Sequence, residues 1–144
     1  MSQNLRDADR RSIVVDYHLS APPPKVWRAL TEPKLLASWL MPNDIKPKVG
    51  HQFTFKTAPA PGFDGIVHCK IIEVQPVSRL VYSWRGGPID TMVIWTLEPT
   101  ISGGTHLKLE QSGFGPEHGM TYDILSQGWR EKAAGSLERI VNLA

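Results

Sequence analysis

Apolar and polar residues follow two rhythms along this chain, first a period of two, then a helical one, then each again. Over 11–19, RSIVVDYHL, the residues Ile13, Val15, Tyr17 and Leu19 share one parity, and Asp16 and His18 share the other. That alternation predicts a half-buried strand. The run SAPPPKVWRALTEP follows. Proline is tolerated in the first turn of a helix, where its missing N–H has no intrahelical acceptor to lose. The run therefore predicts a short helix carrying Val26, Trp27 and Leu30, stopped at Pro33. Pro33 then opens a second short helix, PKLLASWL, with Leu35, Leu36, Trp39 and Leu40 apolar.

From Val49 the period returns to two, with Val49, His51, Phe53 and Phe55 set against Gly50, Gln52, Thr54 and Lys56. TAPAPGFDG reads as a turn or long loop. Residues 65–75, GIVHCKIIEVQ, carry two phases: Val67, Cys69 and Ile71 on one parity, Ile72 and Val74 on the other. A β-bulge produces such a pattern, and the faces of this strand stay unassigned. Three cleaner strands follow. Leu80, Tyr82 and Trp84 point in, with Arg79, Ser83 and Arg85 out; Thr91, Val93, Trp95 and Leu97 point in; Leu107 and Leu109 point in, with His106, Lys108 and Glu110 out. EPTISGGT is a turn and SGFGPEHG a glycine-rich loop. The last element, about 120–143, is an amphipathic helix with Trp129, Ala133, Leu137 and Val141 in one row, Leu125 before it and Ile140 alongside.

The expected fold class is α+β: six antiparallel strands, two short helices after the first strand, and a long C-terminal helix. A sheet with one apolar face needs a cover, and only that helix is long enough. One helix cannot fill the concavity of six curved strands, so a hollow is expected between them. The helix row is thin at its centre. Ala133 and Ser136 lie between Trp129 and Leu137, flanked by Gly128 and Gly135. A small centre fits the roof of a cavity better than a plug. The polar residues 1–10 are expected to form a disordered tail, and 11–144 one ligand-binding domain.

Composition narrows the function. The formal net charge is +2, from 16 basic and 14 acidic residues spread along the chain. That balance argues against a nucleic-acid or anionic-membrane surface. Lys25, Arg28 and Lys34 lie near one another but read as a solvated helix face. One cysteine, Cys69, excludes a disulfide framework and a cysteine-cluster metal site. The charged N-terminus lacks an apolar signal-peptide core, and no run approaches a membrane span, so a cytoplasmic location is expected.

Three stretches carry a resemblance: APPPKVWRALTEPKLLASWL, PVSRLVYSW, and the GW at the start of the last apolar row. In this order and spacing they resemble the activator of heat shock protein 90 ATPase homologue-like family, within the START-like or SRPBCC superfamily. The similarity runs from about Ile13 to Leu143. It implies a helix-grip fold, in which a curved sheet wraps the long C-terminal helix around a cavity. It also implies that the cavity holds apolar or amphipathic small molecules. The co-chaperones that gave the family its name carry a further N-terminal domain. Nothing before the first strand here corresponds to it, so heat shock protein 90 is not the expected partner.

No nucleophile elbow, zinc helix or dinucleotide turn is present. The five histidines are dispersed: His18 and His106 on solvent faces, His118 in a loop, His68 in the unphased strand. His51 shares the parity of Phe53 and Phe55 and is the one expected near a cavity rim. Cys69 is expected to be a small buried apolar residue rather than a nucleophile. Five tryptophans are the stronger signal. Large aromatics build cores, but aromatics ringing small residues, with indole and phenol groups as polar handles, also describe an apolar pocket. Trp27 is assigned to plain packing.

The expected ligand-binding set is Trp39, Met41, His51, Phe53, Phe55, Tyr82, Trp84, Trp95, Trp129 and Ala133, with no catalytic residue, metal or cofactor. Three functions compete. The first is binding of a small apolar or amphipathic ligand. The second is a cyclase- or lyase-type enzyme using the same cavity, with His51 and Tyr82 as its inward titratable groups. The third is a co-chaperone-like partner module. A homodimer is left open.

Overall fold

The computed structural model describes residues 11–143, so the tail expected over 1–10 lies outside the described residues. The strands are β1 (Arg11–Leu19), β2 (Gln52–Lys56), β3 (Ile66–Gln75), β4 (Arg79–Gly86), β5 (Ile89–Pro99) and β6 (Thr105–Phe114). They form one antiparallel sheet in the order β1-β6-β5-β4-β3-β2. Two short helices, α1 (Pro23–Thr31) and α2 (Pro33–Trp39), fill the connection from β1 to β2. Each begins with proline, as the pattern predicts, and Glu32 serves as the C-cap of the first and the N-cap of the second.

The phasing of β1, β4, β5 and β6 follows the alternation in the sequence. Trp84 and Trp95 are buried, while Arg85 and Lys108 are exposed and Arg79 and His106 partly so. The stacked rings of His18 and His106 lie on the outer face, 5.0 Å apart. The two phases of β3 are a bulge. Its pairing with β4 shifts between Ile71 and Glu73, and Ile72 is turned outward. The extra residue lets Val67, Cys69 and Ile71 face inward before it, and Val74, paired with Leu80, after it.

Three boundaries differ from expectation. Val49 lies in an exposed turn, and β2 starts only at Gln52. β6 continues through SGF to Phe114, whose ring is fully buried, and a 3-10 turn at Pro116–His118 follows. The C-terminal helix runs as α3 (Gly119–Gln127), a π-helical turn at Gly128–Lys132, and α4 (Ala133–Leu143). A π-turn carries one residue more per turn than an α-helix, and here it sits where Trp129 meets the sheet. No helix among the described residues is long and apolar enough to cross a membrane.

The helix is fastened to β1, an edge strand of the sheet. Tyr122 donates its hydroxyl to the Ser12 carbonyl at 3.0 Å, and Arg130 Nη2 donates to the Val14 carbonyl at 3.1 Å. Beyond the end of the strand, the Ser20 amide and hydroxyl both donate to the Glu138 carboxylate. These contacts occupy backbone groups that a bare edge would offer to another chain. They also hold the Glu138 carboxyl below the usual glutamate range. The Ser20 hydroxyl is the largest cause, burial opposes it, and the Ser20 amide and Asn142 add to it.

A lowered folded-state pKa favours the native state above the ordinary glutamate range, and that stabilisation is lost as pH falls through the lowered value. Glu138→Gln should therefore melt below wild type at neutral pH, with the gap closing towards about pH 3. Thermal melts at both pH values check this; an equal gap at both would show that the carboxylate charge contributes nothing.

Candidate functional site

Side chains on the inner face of the sheet meet the C-terminal helix in one aromatic cluster. Trp95, on β5, is fully buried at its centre. Its ring lies 6.0 Å from Trp39 and 5.7 Å from Trp129, both nearly perpendicular, and 6.4 Å from Tyr17. Trp129 in turn meets Trp84 at 5.7 Å. Trp84 meets Phe55 at 5.3 Å, Phe55 meets Phe53 at 5.4 Å, and Phe53 meets Tyr82 at 5.2 Å. Most of these contacts are edge-to-face, which places the positive ring edge on the negative face. Strand parity explains the arrangement, because each of these strand residues sits on the buried parity of β1, β2, β4 or β5.

Of the expected ligand-binding residues, Trp39, Phe53, Phe55, Tyr82, Trp84, Trp95 and Trp129 are thus brought together, and Ala133 is buried in the same cluster. Met41 packs against it, partly buried. His51 stands at the margin, its ring parallel to Phe53 at 6.4 Å and its Nε2 3.1 Å from the Asp44 carbonyl.

The cluster is threaded by buried hydrogen bonds. Trp129 Nε1 donates to Gln111 Oε1 at 2.9 Å, Gln111 Nε2 donates to Thr91 Oγ1 at 3.0 Å, and Thr91 donates to the Trp84 carbonyl at 2.9 Å. Tyr17 donates to the Trp129 carbonyl at 2.7 Å, Trp39 to the Ala29 carbonyl at 2.8 Å, and Trp95 to the Tyr82 hydroxyl oxygen at 3.0 Å. Gln111 was not singled out from the sequence. Its signal was the parity of Leu107 and Leu109 carried one step further into what read as the edge of a loop.

Burial raises the pKa of Tyr17, Tyr82 and Cys69, so all three stay protonated at neutral pH. The Arg130 charge partly opposes the shift at Tyr17, Asp44 adds to it at Cys69, and at Tyr82 the Trp95 hydrogen bond opposes it. Among the described residues, no group of three or more His, Cys, Asp or Glu side chains is placed to hold a metal ion.

A concavity of about 1210 Å³ lies on the outer side of the sheet, over β2, β3 and β4. His68, whose face the sequence left open, lines it with Lys70, Arg85, Asp44, Asp64 and Asp90. Its charges interleave. Asp90 sits 3.6 Å from Arg85, Asp44 accepts the Thr54 amide at 2.8 Å, and Asp64 accepts the Ile66 amide at 3.0 Å. The Arg85 and Asp90 side chains are 67% and 72% exposed. Phe53, Cys69 and Ile89 also line this trough, which is open to water.

With this geometry in place, comparison identifies the family. The family model described as activator of Hsp90 ATPase homolog 1-like protein matches residues 20–142. The chain belongs to this activator of Hsp90 ATPase homolog 1-like family. It is similar to protein MLL2253 from Mesorhizobium loti, at 38% identity and a TM-score of 0.83, over 93% of this chain and 98% of that one. It is similar to CalU16 from Micromonospora echinospora, at 26% identity and a TM-score of 0.73, over 92% and 76% of the two chains. It is also similar to DynU16, a putative protein in the dynemicin biosynthetic locus, at 25% identity and a TM-score of 0.75. That match covers 91% of this chain but 47% of DynU16. No curated protein matches the chain.

One detail of the family's C-terminal helix needs correction here. Gly128 and Gly135 do not thin its buried face. A Cβ at either would meet nothing within 4 Å, so neither permits a close approach, and the thin centre rests on Ala133. Gly135→Ala should therefore add about 0.5–1 kcal/mol of stability through helix propensity alone. Urea melts check it, and a loss of stability would mean that position does pack. Cys69, 4% exposed and held as the thiol, should react with a thiol reagent only as fast as the protein unfolds. A fast native-state reaction would return it to the list of nucleophiles.

Proposed function

We propose that this chain binds a small hydrophobic or amphipathic molecule between its sheet and its C-terminal helix, acting as a binding protein rather than a catalyst. The observation that carries this reading is the aromatic surface from Trp39 to Tyr82, facing a helix whose packed side chains between Trp129 and Leu137 are the small Ala133 and Ala134. Proteins of this family's fold bind small ligands. The family takes its name from an activator of the Hsp90 ATPase, but a shared fold does not transfer that role. The buried side chains also favour binding. Among the described residues their titratable members are two tyrosines and a cysteine, all neutral near pH 7.

Access beneath α3 fits the packing. That helix buries no residue fully, and Met120 and Ile124 on it are 79% and 63% exposed. By contrast, α4 buries Ala133, Leu137 and Val141. A guest that lifts α3 about the π-turn breaks the Tyr122 contacts with Ser12 and Phe114 and the Leu125 packing, and reaches Trp129 and Trp84. Segments with few buried contacts open at low free energy.

The test uses N-phenyl-1-naphthylamine, a neutral fluorescent probe, with wild type and Ala133→Leu. If Ala133 roofs guest space, leucine adds buried methylenes at about 0.8 kcal/mol each without overpacking, and probe binding weakens. If Ala133 sits in a filled core, leucine destabilises by roughly 1–3 kcal/mol. An unchanged or higher melting temperature with weaker probe binding is expected. A markedly lower melting temperature without probe sinks the reading at this position, and no saturable probe binding by wild type sinks it altogether.

A further inference from the structure

Tyr82 is 1% exposed, and its hydroxyl is the exception among the buried hydroxyls. Those of Tyr17, Thr31, Thr91 and Thr105 each donate to a backbone carbonyl, at 2.7, 2.8, 2.9 and 2.8 Å. The Tyr82 oxygen instead accepts the Trp95 indole N–H at 3.0 Å, which occupies a lone pair and leaves the phenolic proton unspent. Among the described residues Tyr82 donates to no acceptor. A buried donor without an acceptor is destabilising, and that makes the position ready for an oxygen brought from outside.

We propose that Tyr82 is the specificity-determining donor of the internal site, and that the guest is an apolar molecule bearing a neutral oxygen acceptor, a ketone, quinone or ester carbonyl, seated on the Tyr82 hydroxyl. This inference rests on the binding reading above. The surroundings decide between a neutral and an ionised oxygen. Phe53 and Phe55 lie 5.2 and 6.4 Å from the Tyr82 ring, and Cys69 is close by. The buried side chains of the described residues include no lysine, arginine or histidine. A carboxylate placed here would lose its hydration with no counter-charge to replace it, whereas a carbonyl needs only the one donor. Burial holds the phenol protonated, so the donor is present throughout the physiological pH range.

The experiment measures displacement of N-phenyl-1-naphthylamine by two neutral probes of nearly the same shape, 2-acetylnaphthalene and 2-isopropenylnaphthalene, in wild type and Tyr82→Phe. The phenylalanine keeps the ring and removes the O–H. Any damage from the orphaned Trp95 N–H weakens both probes alike and cancels in their ratio. The preference for ketone over alkene should fall roughly 3- to 10-fold in the variant, the range of one ordinary net hydrogen bond. An unchanged ratio with both probes bound overturns this inference and leaves the binding reading standing. Failure of both probes to compete in wild type overturns the two together. Should Tyr82→Phe not fold, the infrared carbonyl stretch of the ketone bound to wild type decides. A shift to lower frequency than in a dry hydrocarbon solvent supports the Tyr82 bond, and an unshifted band overturns it.

Discussion

Trp129 is the joint on which the sheet–helix arrangement depends. Its indole N–H reaches Gln111 on β6, and its carbonyl accepts the Tyr17 hydroxyl from β1. A backbone carbonyl has two lone pairs, so the Trp129 oxygen can take the Tyr17 hydroxyl from within the π-turn at Gly128–Lys132. From Gln111 the bonds pass to Thr91 and on to the Trp84 carbonyl, so four strands and the helix share one buried polar chain. In a low-dielectric interior such a chain sets a unique geometry, because any shift leaves a polar group unpaired. The aromatic rings around it inherit their relative angles from that constraint.

Strand parity was legible in the sequence wherever one face is apolar and the other charged. Trp84 and Trp95 on the inside and Arg85 and Lys108 on the outside follow from alternation alone. The bulge of β3 was visible as a clash of two phases, but its position was not, because Ile71 and Ile72 are equally apolar and only pairing with β4 decides which turns out. The π-turn left no signal. GWREK reads as ordinary helix, and its geometry is imposed by Tyr17 and Gln111, which lie far away in sequence. Phe114 was lost among glycines, where propensity favours a loop and only the pairing of β6 with β1 overrides it.

The candidate site was legible as a set of rings but not as a set of bonds. Parity brings Phe53, Phe55, Tyr82 and Trp84 to one face, and the helical row adds Trp129. Nothing in spacing tells that Trp95 gives its proton to Tyr82, since both could equally bind backbone. Hydrogen-bond direction is a tertiary property, and here it separates a satisfied Tyr17 from a Tyr82 with a proton to give.

Under the proposed binding reading, the two faces of the same strands differ in what they offer a guest. Outside, over β2–β4, the hollow is larger than most small-molecule pockets, and water reaches its Arg85 and Asp90 side chains freely. A ligand there would trade good solvation for weak, screened contacts. Inside, apolar area dominates and the few polar groups are nearly all spent on each other. A guest gains from burial in proportion to its own apolar surface, and it is discriminated by the donors left over rather than by net charge. Selectivity would then fall on shape and on the placement of one or two oxygens.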